Sequence, residues 1–329
     1  MVVTVRVPAT SANLGPGFDA LGLALTLYDE VTATRAGGRG SVIVQGEGAG
    51  VLPSGDDHLV VRAMAETFAE LAVAPVPVEL ACVNRIPQAR GLGSSSAAIV
   101  AGILLARALV AEQDPDRAAD FDDAAVLRLA TRLEGHPDNV APCLLGGLTI
   151  AWLESSGARA VRLEPAAGVR PILLVPDERG LTATARAALP HTVPHVDAAH
   201  AAGRAALLVH ALTAATGLLL PATEDRLHQD YRAPGAPATA ALVARLRAAG
   251  VPAVVSGAGP SVLAFGLLNG GASDPCELPI EVPTGWRRHN LRVDTTGAVV
   301  RRLPSRRTLA SSSETRRRQT GVAPARRVV

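Results

Sequence analysis

The chain opens with apolar and polar residues in strict alternation over positions 3–7, the pattern of a half-buried strand. The same period of two, or a short apolar run, predicts strands at residues 2–7, 28–34, 42–44, 76–82, 172–175 and 253–255. Apolar residues at the helical period predict helices at 58–71, 97–110, 198–216 and 239–249, and one that Asp122 or Asp123 caps and Gly135 ends. This order of elements alone predicts only a generic α/β fold.

Several segments depart from these patterns. With 329 residues the chain is long enough for two domains, and residues 155–170, rich in Gly, Ser, Ala and Pro, are the predicted boundary. Residues 266–285 show no helical stripe and are predicted to be loop. Residues 304–329 hold seven arginines against one acid and predict a disordered basic tail. The uncharged stretch 205–222 contains His210 and Gly217, so a buried helix is predicted there and no membrane span.

Composition narrows the chemistry. A hydrophobic share of 48%, a charged share of 19% and a net charge of +2 describe a globular chain without the charge of a nucleic-acid-binding protein. All 32 basic residues are arginine, so a Walker A lysine and a Schiff-base lysine are both excluded. Cys82, Cys143 and Cys276 have neither disulfide-like nor metal spacing and predict a reducing, cytoplasmic compartment.

The most informative segment reads PQARGLGSSSA, at residues 87–97, between a predicted strand and a predicted apolar helix. Gly91 and Gly93 would let main-chain amides approach an anion, and the helix would add its positive N-terminal end. The three serines offer hydroxyls to phosphate oxygens or to a divalent cation. The segment therefore predicts a phosphate-binding loop, with an ordinary loop whose serines only cap the helix as the alternative.

Three further clusters combine turn-forming residues with polar side chains. They read PATSANLGPGFD at residues 8–19, EGHPDN at 134–139 and SGAGPS at 256–261. Asn13 and Asp19 could orient a ligand or only bond their own backbone. Glu134 could hold a magnesium ion or sit exposed at the end of its helix. The last cluster could let backbone approach a ligand.

In this order, the four motifs resemble the homoserine kinase branch of the GHMP small-molecule kinase superfamily. TATAR at 182–186 and DRLHQDYR at 225–232 agree, and the resemblance runs from about residue 2 to 265. It implies an α+β fold with ATP in the cleft between two domains. The first, residues 1–160, would bind ATP and contain a left-handed βαβ crossover. The second, residues 161–303, would be ferredoxin-like, and residues 304–329 would form the tail.

The resemblance also implies ligands and roles. The ligands are ATP, Mg²⁺ and a small zwitterion, L-homoserine. The residues implied to bind ATP are Pro87, Arg90, Gly91, Leu92, Gly93, Ser94, Ser95, Ser96 and Ala97. Ser95 and Glu134 would coordinate Mg²⁺ and, with Asp19, form the catalytic set. The residues implied to bind the amino acid are Asn13 and Asp19 at its ammonium, Arg186 and Arg232 at its carboxylate, and His136 and Asn139, which would orient it.

Some alternatives stay open. Asp19 is the obvious candidate for a base, but a carboxylate that holds an ammonium is a poor base, so transfer without a dedicated base is the hypothesis. Each arginine could instead be surface charge. Other GHMP kinases act on mevalonate, galactose or a diphosphocytidyl sugar alcohol. A nucleotide-binding protein without turnover is a further alternative, because residues 266–285 and the arginine-rich end depart from the family pattern. No membrane or nucleic-acid partner is expected, and a homodimer stays open.

Overall fold

The computed structural model describes residues 2–267 and 278–303, which form two β-sheets and the helices around them. The strands are β1 (Val2–Ala12), β2 (Leu21–Arg35), β3 (Ser41–Gly46), β4 (Val78–Asn84), β5 (Leu148–Glu154), β6 (Gly157–Leu163), β7 (Val169–Pro176), β8 (Ala253–Val255), β9 (Val262–Leu267), β10 (Trp286–Asn290) and β11 (Val299–Leu303). The α-helices are α1 (Leu59–Glu70), α2 (Ser94–Val110), α3 (Pro115–Asp120), α4 (Asp123–Glu134), α5 (Val140–Leu145), α6 (Thr182–Ala187), α7 (His195–Thr213), α8 (Leu219–Ala222), α9 (Gln229–Arg232) and α10 (Pro237–Ala248). Thr216–Leu218 and Ala233–Gly235 are short 3₁₀ turns.

The first sheet has seven strands, in the order β11-β1-β2-β4-β3, with β5 paired to β2 and β6 paired to β5. The long strand β2 makes this branching possible, because its first residues pair with β5 and its last residues with β4. Strands β3 and β4 are parallel and are joined through α1, which gives one βαβ unit. The other pairs in this sheet are antiparallel.

Helix α2 is apolar around almost its whole circumference, and it is correspondingly buried. It packs against β1 and the helices α1, α4 and α5. Gly102 allows the close contact with α1, because a Cβ at that position would lie 2.5 Å from the carbonyl oxygen of Val60. These contacts hold the N-terminus of α2 in a fixed position at the cleft.

The second sheet has four strands in the antiparallel order β10-β7-β9-β8. Alternate residues of β7 face opposite sides, as the period of two requires. Ile172 and Leu174 pack with Leu242 and Leu246 of α10. Leu173 belongs instead to the main core, which also contains residues of the first sheet and of α7. The inner face of the second sheet is therefore continuous with the first sheet's core.

The structure confirms the predicted mixed α+β architecture and most of the predicted elements, and it corrects three. Residues 155–170 are not only loop, because β6 lies there and pairs with β5. Residues 205–222 are not one helix: α7 ends at Thr213 and α8 follows the 3₁₀ turn that contains Gly217. Helix α2 starts at residue 94, three residues before its predicted start.

The predicted division of the chain at residue 160 stays a prediction. β11, at the end of the predicted second domain, pairs with β1 and so belongs to the first sheet. Of the predicted loop 266–285, residues 266–267 are instead the end of β9, and residues 278–285 contain no helix. Residues 268–277, which include Cys276, lie outside the described residues, as does the predicted tail 304–329. In the described part of the chain, every helix is too short or too polar to span a bilayer.

Candidate active site

The loop at residues 87–93 is seated between the end of β1 and the turn at 256–261. Gly91 and Gly93 have φ angles of +71° and +66°, a region that glycine adopts without strain. A Cβ on Gly93 would overlap the hydroxyl of Thr10, and one on Gly91 would overlap the carbonyl oxygen of Ser256. These two glycines are therefore required by both conformation and space, which is why their spacing was informative in the sequence.

Gly93 is also the N-cap of α2, so the serines at 94–96 form the first turn of the helix. Main-chain amides in a first turn have no helical acceptor, and the helix dipole makes this end positive. No acidic side chain occupies that turn. The loop and the helix start thus have the main-chain geometry that suits an anion, and phosphate binding here stays a prediction.

Glu134, the last residue of α4, meets two of these serines. Its Oε1 accepts hydrogen bonds from Ser95 Oγ at 2.6 Å and from Ser96 Oγ at 2.8 Å. Gly135, with a φ of +93°, ends the helix directly after the carboxylate. The structure therefore brings together Ser95 and Glu134, the two residues predicted to hold a metal.

The oxygens of Ser95 and Glu134 fit a magnesium ion. Neighbouring oxygens of an octahedral Mg²⁺ lie about 3.0 Å apart, given bonds of about 2.1 Å, so the two oxygens, now hydrogen-bonded at 2.6 Å, would separate by only about 0.4 Å to hold the ion. Within the described residues, no group of three or more His, Cys, Asp or Glu side chains could hold a metal ion. Magnesium suits such a sparse site, because it commonly takes one or two protein oxygens together with phosphate oxygens and water.

Asp19 and Arg186 line the same cavity as this loop and bind each other. The two guanidinium NH groups donate to the two carboxylate oxygens at 2.9 and 2.8 Å, and both side chains are a little over one-third exposed. The main-chain N–H of Asp19 donates to Asn13 Oδ1, and Asn13 Nδ2 donates to the carbonyl of Gly257. Asn13, predicted as a ligand residue, thus holds Asp19 in place.

Arg232 is the second arginine predicted for this region, and it is buried. Its guanidinium donates to the carbonyls of Ala185 and Gly257 and lies 5.5 Å from the centre of the Phe18 ring. Burial and the neighbouring Arg186 lower its pKa from the usual value, although a guanidinium stays charged at neutral pH. The structure therefore places a fixed buried cation beside the Asp19–Arg186 pair.

The EGHPDN turn lines the same cavity through Glu134, His136, Asp138 and Asn139. His136 Nδ1 lies 2.6 Å from Asp138 Oδ1. Burial lowers the pKa of His136, but the bond and the charge of Asp138 outweigh it, so the pKa is raised overall. Asn139 Oδ1 accepts from the Thr10 hydroxyl at 2.7 Å. Asp138 lies within a motif singled out in the sequence, but its part in orienting His136 was not predicted.

Arg90, predicted to bind ATP, has another contact set. Its guanidinium donates to the carbonyls of Gln88, Pro176 and Asp177 at 2.7–2.9 Å, which ties the loop to the end of β7. Arg90 still lines the cleft, whereas Pro87 and Ser96 do not. Arg90 therefore supports the loop as a structural link between the two sheets.

One cavity of about 390 Å³ is lined by residues 88–95, Glu134, His136, Asp138, Asn139, Asn13, Asp19, Arg186 and Arg232. Beyond the loop, its other end has apolar walls from Leu52, Pro53, Leu59 and Val60. His58 also lines this end; it is 4% exposed, its Nδ1 has no hydrogen-bond partner, and burial lowers its pKa. Sequence reasoning missed this end, because the residues before α1 contain no recognisable motif.

Asp29 of β2 supports the start of the loop from below. Its Oδ1 accepts from the main-chain N–H groups of Arg85 at 2.6 Å and Ile86 at 2.8 Å. Burial raises the pKa of Asp29 to about 6, although the two backbone hydrogen bonds and the charge of Arg85 oppose the rise and Glu47 adds to it. Burial likewise raises the pKa of the nearby Cys82 thiol to about 11, so this thiol is not a nucleophile.

The wild-type protein is expected to lose stability relative to Asp29→Asn as the pH rises from about 4 to about 6. Over this range the folded protein keeps a proton on Asp29 that the unfolded chain releases, so the stability present below pH 4 is lost as the pH passes 6. The change corresponds to roughly 3 kcal/mol at most. Urea unfolding across the range measures it, with Glu30→Gln on the same strand as control. A difference that does not vary with pH would contradict the prediction.

Gly93→Ala is expected to raise the KM for the nucleotide by at least about 10-fold. The added Cβ would overlap Thr10 Oγ1 and also lie 3.0 Å from Asn139 Oδ1, so the loop must shift away. Steady-state kinetics measures the effect. Gly250→Ala is the matched control, because Gly250 also has a positive φ, +81°, but open space around it. Gly250→Ala should lower the free energy of unfolding by about 1 kcal/mol and leave the nucleotide KM unchanged. Equal nucleotide KM values in the two variants would argue against nucleotide binding by the loop.

The comparisons with known proteins agree with this geometry. Residues 58–147, which include the loop and Glu134, match the model of the GHMP kinases N terminal domain. The crystal structure of a homoserine kinase from Cytophaga hutchinsonii superposes with a TM-score of 0.75 at 23% identity, covering 91% of this chain and 97% of that one, which shows a shared fold. Residues 58–147 thus contain a GHMP kinase N-terminal domain, and the chain has the fold of that kinase structure.

Closer relatives identify the branch. A homoserine kinase from Streptomyces coelicolor is 55% identical over 313 residues, which cover 95% of this chain and 97% of the relative. One from Clavibacter michiganensis is 51% identical over 300 residues, covering 91% and 93%. The chain belongs to the homoserine kinase family.

Proposed function

We propose that the protein transfers the γ-phosphoryl group of ATP to the side-chain hydroxyl of L-homoserine, which yields O-phospho-L-homoserine for threonine biosynthesis. One observation carries the proposal: the loop at residues 87–93 lines the same cavity as the carboxylate of Asp19 and the guanidinium groups of Arg186 and Arg232. A kinase for a small zwitterion needs this combination: a site for polyphosphate, and opposite charges for the two ends of the acceptor.

The nucleotide would lie along the loop. The amides of Gly91, Gly93 and the first turn of α2 would hold the phosphates, and the apolar end of the cavity would take the base. No side chain of the described loop residues supplies positive charge to the phosphates, because Arg90 is bound to main-chain carbonyls. Main-chain amides and the helix dipole would therefore carry phosphate binding.

Ser95 and Glu134 would hold Mg²⁺. When bound, the ion supplies charge neutralisation at the phosphate oxygens, which is a large part of catalysis in phosphoryl transfer. Glu134 provides the negative charge that favours a cation at this point. Ser96, buried behind Ser95, keeps the carboxylate aimed at the loop through its own hydrogen bond.

The amino acid would bind by exchanging partners with the Asp19–Arg186 pair. Its ammonium would take the carboxylate of Asp19 and its carboxylate would take Arg186, with Arg232 beside it. Such an exchange keeps every charge paired, so neither protein group has to lose its partner without replacement. His136 and Asn139, which line the same cavity, would direct the hydroxyl towards the loop.

Transfer without a dedicated protein base is part of the proposal. Asp19 is bound at both oxygens by Arg186, and its position suits recognition of a cation better than removal of a proton. Positioning and charge stabilisation account for most of the rate enhancement in this reaction class.

An ATP-coupled assay with purified protein and Mg²⁺ tests the function. Homoserine, mevalonate, galactose and a diphosphocytidyl sugar alcohol are compared at equal concentrations, and ADP release is measured with each. The expected result is turnover with homoserine at least about 10³-fold above the others, because each of them lacks the zwitterion. Turnover with another acceptor, or none with any, would refute the proposal.

The cellular location and the oligomeric state of the protein are also proposals. The free, buried thiols of Cys82 and Cys143 support a reducing compartment and so the cytoplasm. A homodimer is kept as a proposal on the resemblance alone, and size-exclusion chromatography with light scattering decides it.

A further inference from the structure

His228 is a fully buried titratable group that the proposed reaction does not use. It lies at the start of α9, next to Asp225, whose carboxylate accepts from the main-chain amides of residues 227, 228 and 229. The relative exposure of His228 is 0%. Its ring centre is 5.2 Å from that of Phe18. The Phe18 ring also contacts the guanidinium of Arg232.

Both ring nitrogens of His228 have partners, and the partners fix the tautomer. Nε2 lies 2.9 Å from the carbonyl oxygen of Gly15, which can only accept, so Nε2 carries the proton. Nδ1 lies 3.1 Å from an NH group of Arg232, which can only donate, so Nδ1 carries the lone pair. Burial lowers the pKa of His228, and the charge of Arg232 acts in the same direction. Asp225, whose Oδ2 lies 3.6 Å from Nε2, raises the pKa, as do Asp19 and the hydrogen bond to Gly15, but the pKa is lowered overall and the neutral ring is favoured.

We propose that neutral His228 is a positioning residue that aims the Arg232 guanidinium at the carboxylate of the bound amino acid. It anchors Arg232 to the turn after β1, which also carries Asn13 and Asp19. The groups for the two ends of the zwitterion are thereby held at a fixed separation, although they come from distant parts of the chain. The proposal rests on the proposed function, in which Arg232 binds the acceptor.

The remaining contacts of Arg232 explain why the histidine matters. Its Nε donates to the carbonyl of Ala185 and one NH group is shared between His228 and the carbonyl of Gly257, at 3.1 and 3.3 Å. Hydrogen bonds from Nε and from one terminal NH₂ group fix the orientation of the planar guanidinium. The other terminal NH₂ group then points in one direction. Loss of the His228 acceptor would leave this NH group with only the longer contact, 3.3 Å, to the Gly257 carbonyl, so the head group would be held less firmly.

Two substitutions separate the two ring nitrogens. His228→Gln keeps a donor near the Nε2 position for Gly15 but offers Arg232 no acceptor at Nδ1. His228→Asn keeps an acceptor near the Nδ1 position but does not reach Gly15. The expected result is that His228→Gln raises the homoserine KM about 10-fold or more with the ATP KM within 2-fold of wild type. His228→Asn should keep the homoserine KM within about 3-fold and show the larger fall in Tm.

The outcomes discriminate. A purely structural role predicts that KM for both substrates changes in parallel with Tm in the two variants, and that pattern would overturn the proposal. Nitrogen-15 NMR of labelled wild type adds a readout independent of activity, and an imidazolium or an Nδ1–H tautomer at pH 7.5 would also overturn it. Arg232→Met tests the premise. An unchanged homoserine KM in Arg232→Met would refute the role proposed for Arg232, and this inference with it. A raised homoserine KM in Arg232→Met together with an unchanged homoserine KM in His228→Gln would refute only the inference.

Discussion

Replacement of Glu134 by alanine is expected to lower kcat by about 10³-fold and to raise the Mg²⁺ concentration needed for half-maximal activity. Its carboxylate is the acidic group hydrogen-bonded to the hydroxyls of Ser95 and Ser96 at the start of α2. A metal ion's stabilisation of transition-state charge is worth several kcal/mol, and about 4 kcal/mol corresponds to 10³-fold. Initial rates across a magnesium titration measure both quantities.

Two further variants sharpen this test. Glu134→Gln keeps an oxygen that accepts from both serines but removes the negative charge, so a metal-binding role predicts a loss close to that of the alanine variant. Glu70→Ala is the matched control, because Glu70 also ends a helix but binds Arg132 at the surface. Near-normal activity of Glu134→Gln would show that Glu134 only organises the serines.

Arg186→Met is expected to raise the homoserine KM by about 10²-fold and leave the ATP KM within 2-fold. The variant removes the guanidinium proposed for the acceptor's carboxylate and also leaves Asp19 without its partner. A charge-assisted hydrogen bond contributes about 1.5–3 kcal/mol, and 10²-fold corresponds to about 2.7 kcal/mol. Steady-state kinetics with each substrate varied in turn measures the split.

Two more variants complete this test: Asp19→Asn changes the other member of the pair, and Arg132→Met is the control for Arg186→Met. Asp19→Asn is expected to raise the homoserine KM, because a neutral amide binds an ammonium less well than a carboxylate does. A large fall in kcat with KM unchanged would instead identify Asp19 as a base. Arg132 forms an ion pair of similar length with Glu70 on the surface, so its loss should change neither KM.

The backbone of the loop at residues 87–93 was predictable from the sequence, because steric demands select its two glycines. Only glycine tolerates both the backbone angles and the neighbouring oxygens at positions 91 and 93, so the spacing of the two is visible in the letters. The start of α2 was placed three residues late, because serine is a weak helix former and reads as a cap. The backbone angle of Gly93, which sets the true start, cannot be read from composition.

Contacts between distant residues were not predictable in the same way. Asp19 and Arg186 are 167 positions apart, and the sequence assigned them to opposite ends of a ligand without indicating that they meet. The anchoring of Arg232 by His228 depends on a carbonyl of Gly15, a group that every residue has. Strand β6 was missed because it lies at a sheet edge, where Arg159 and Arg162, on opposite faces, interrupt the alternation of apolar and polar residues.

The pairing of β11 with β1 has a consequence for how the protein is made. Residues 2–6 are synthesised long before their outer neighbours, residues 299–303. During translation the outer edge of β1 therefore stays unpaired until residues 299–303 have emerged. Nascent chains stalled before residue 299 should accordingly remain more accessible to proteases and chaperones at this edge than chains that contain β11.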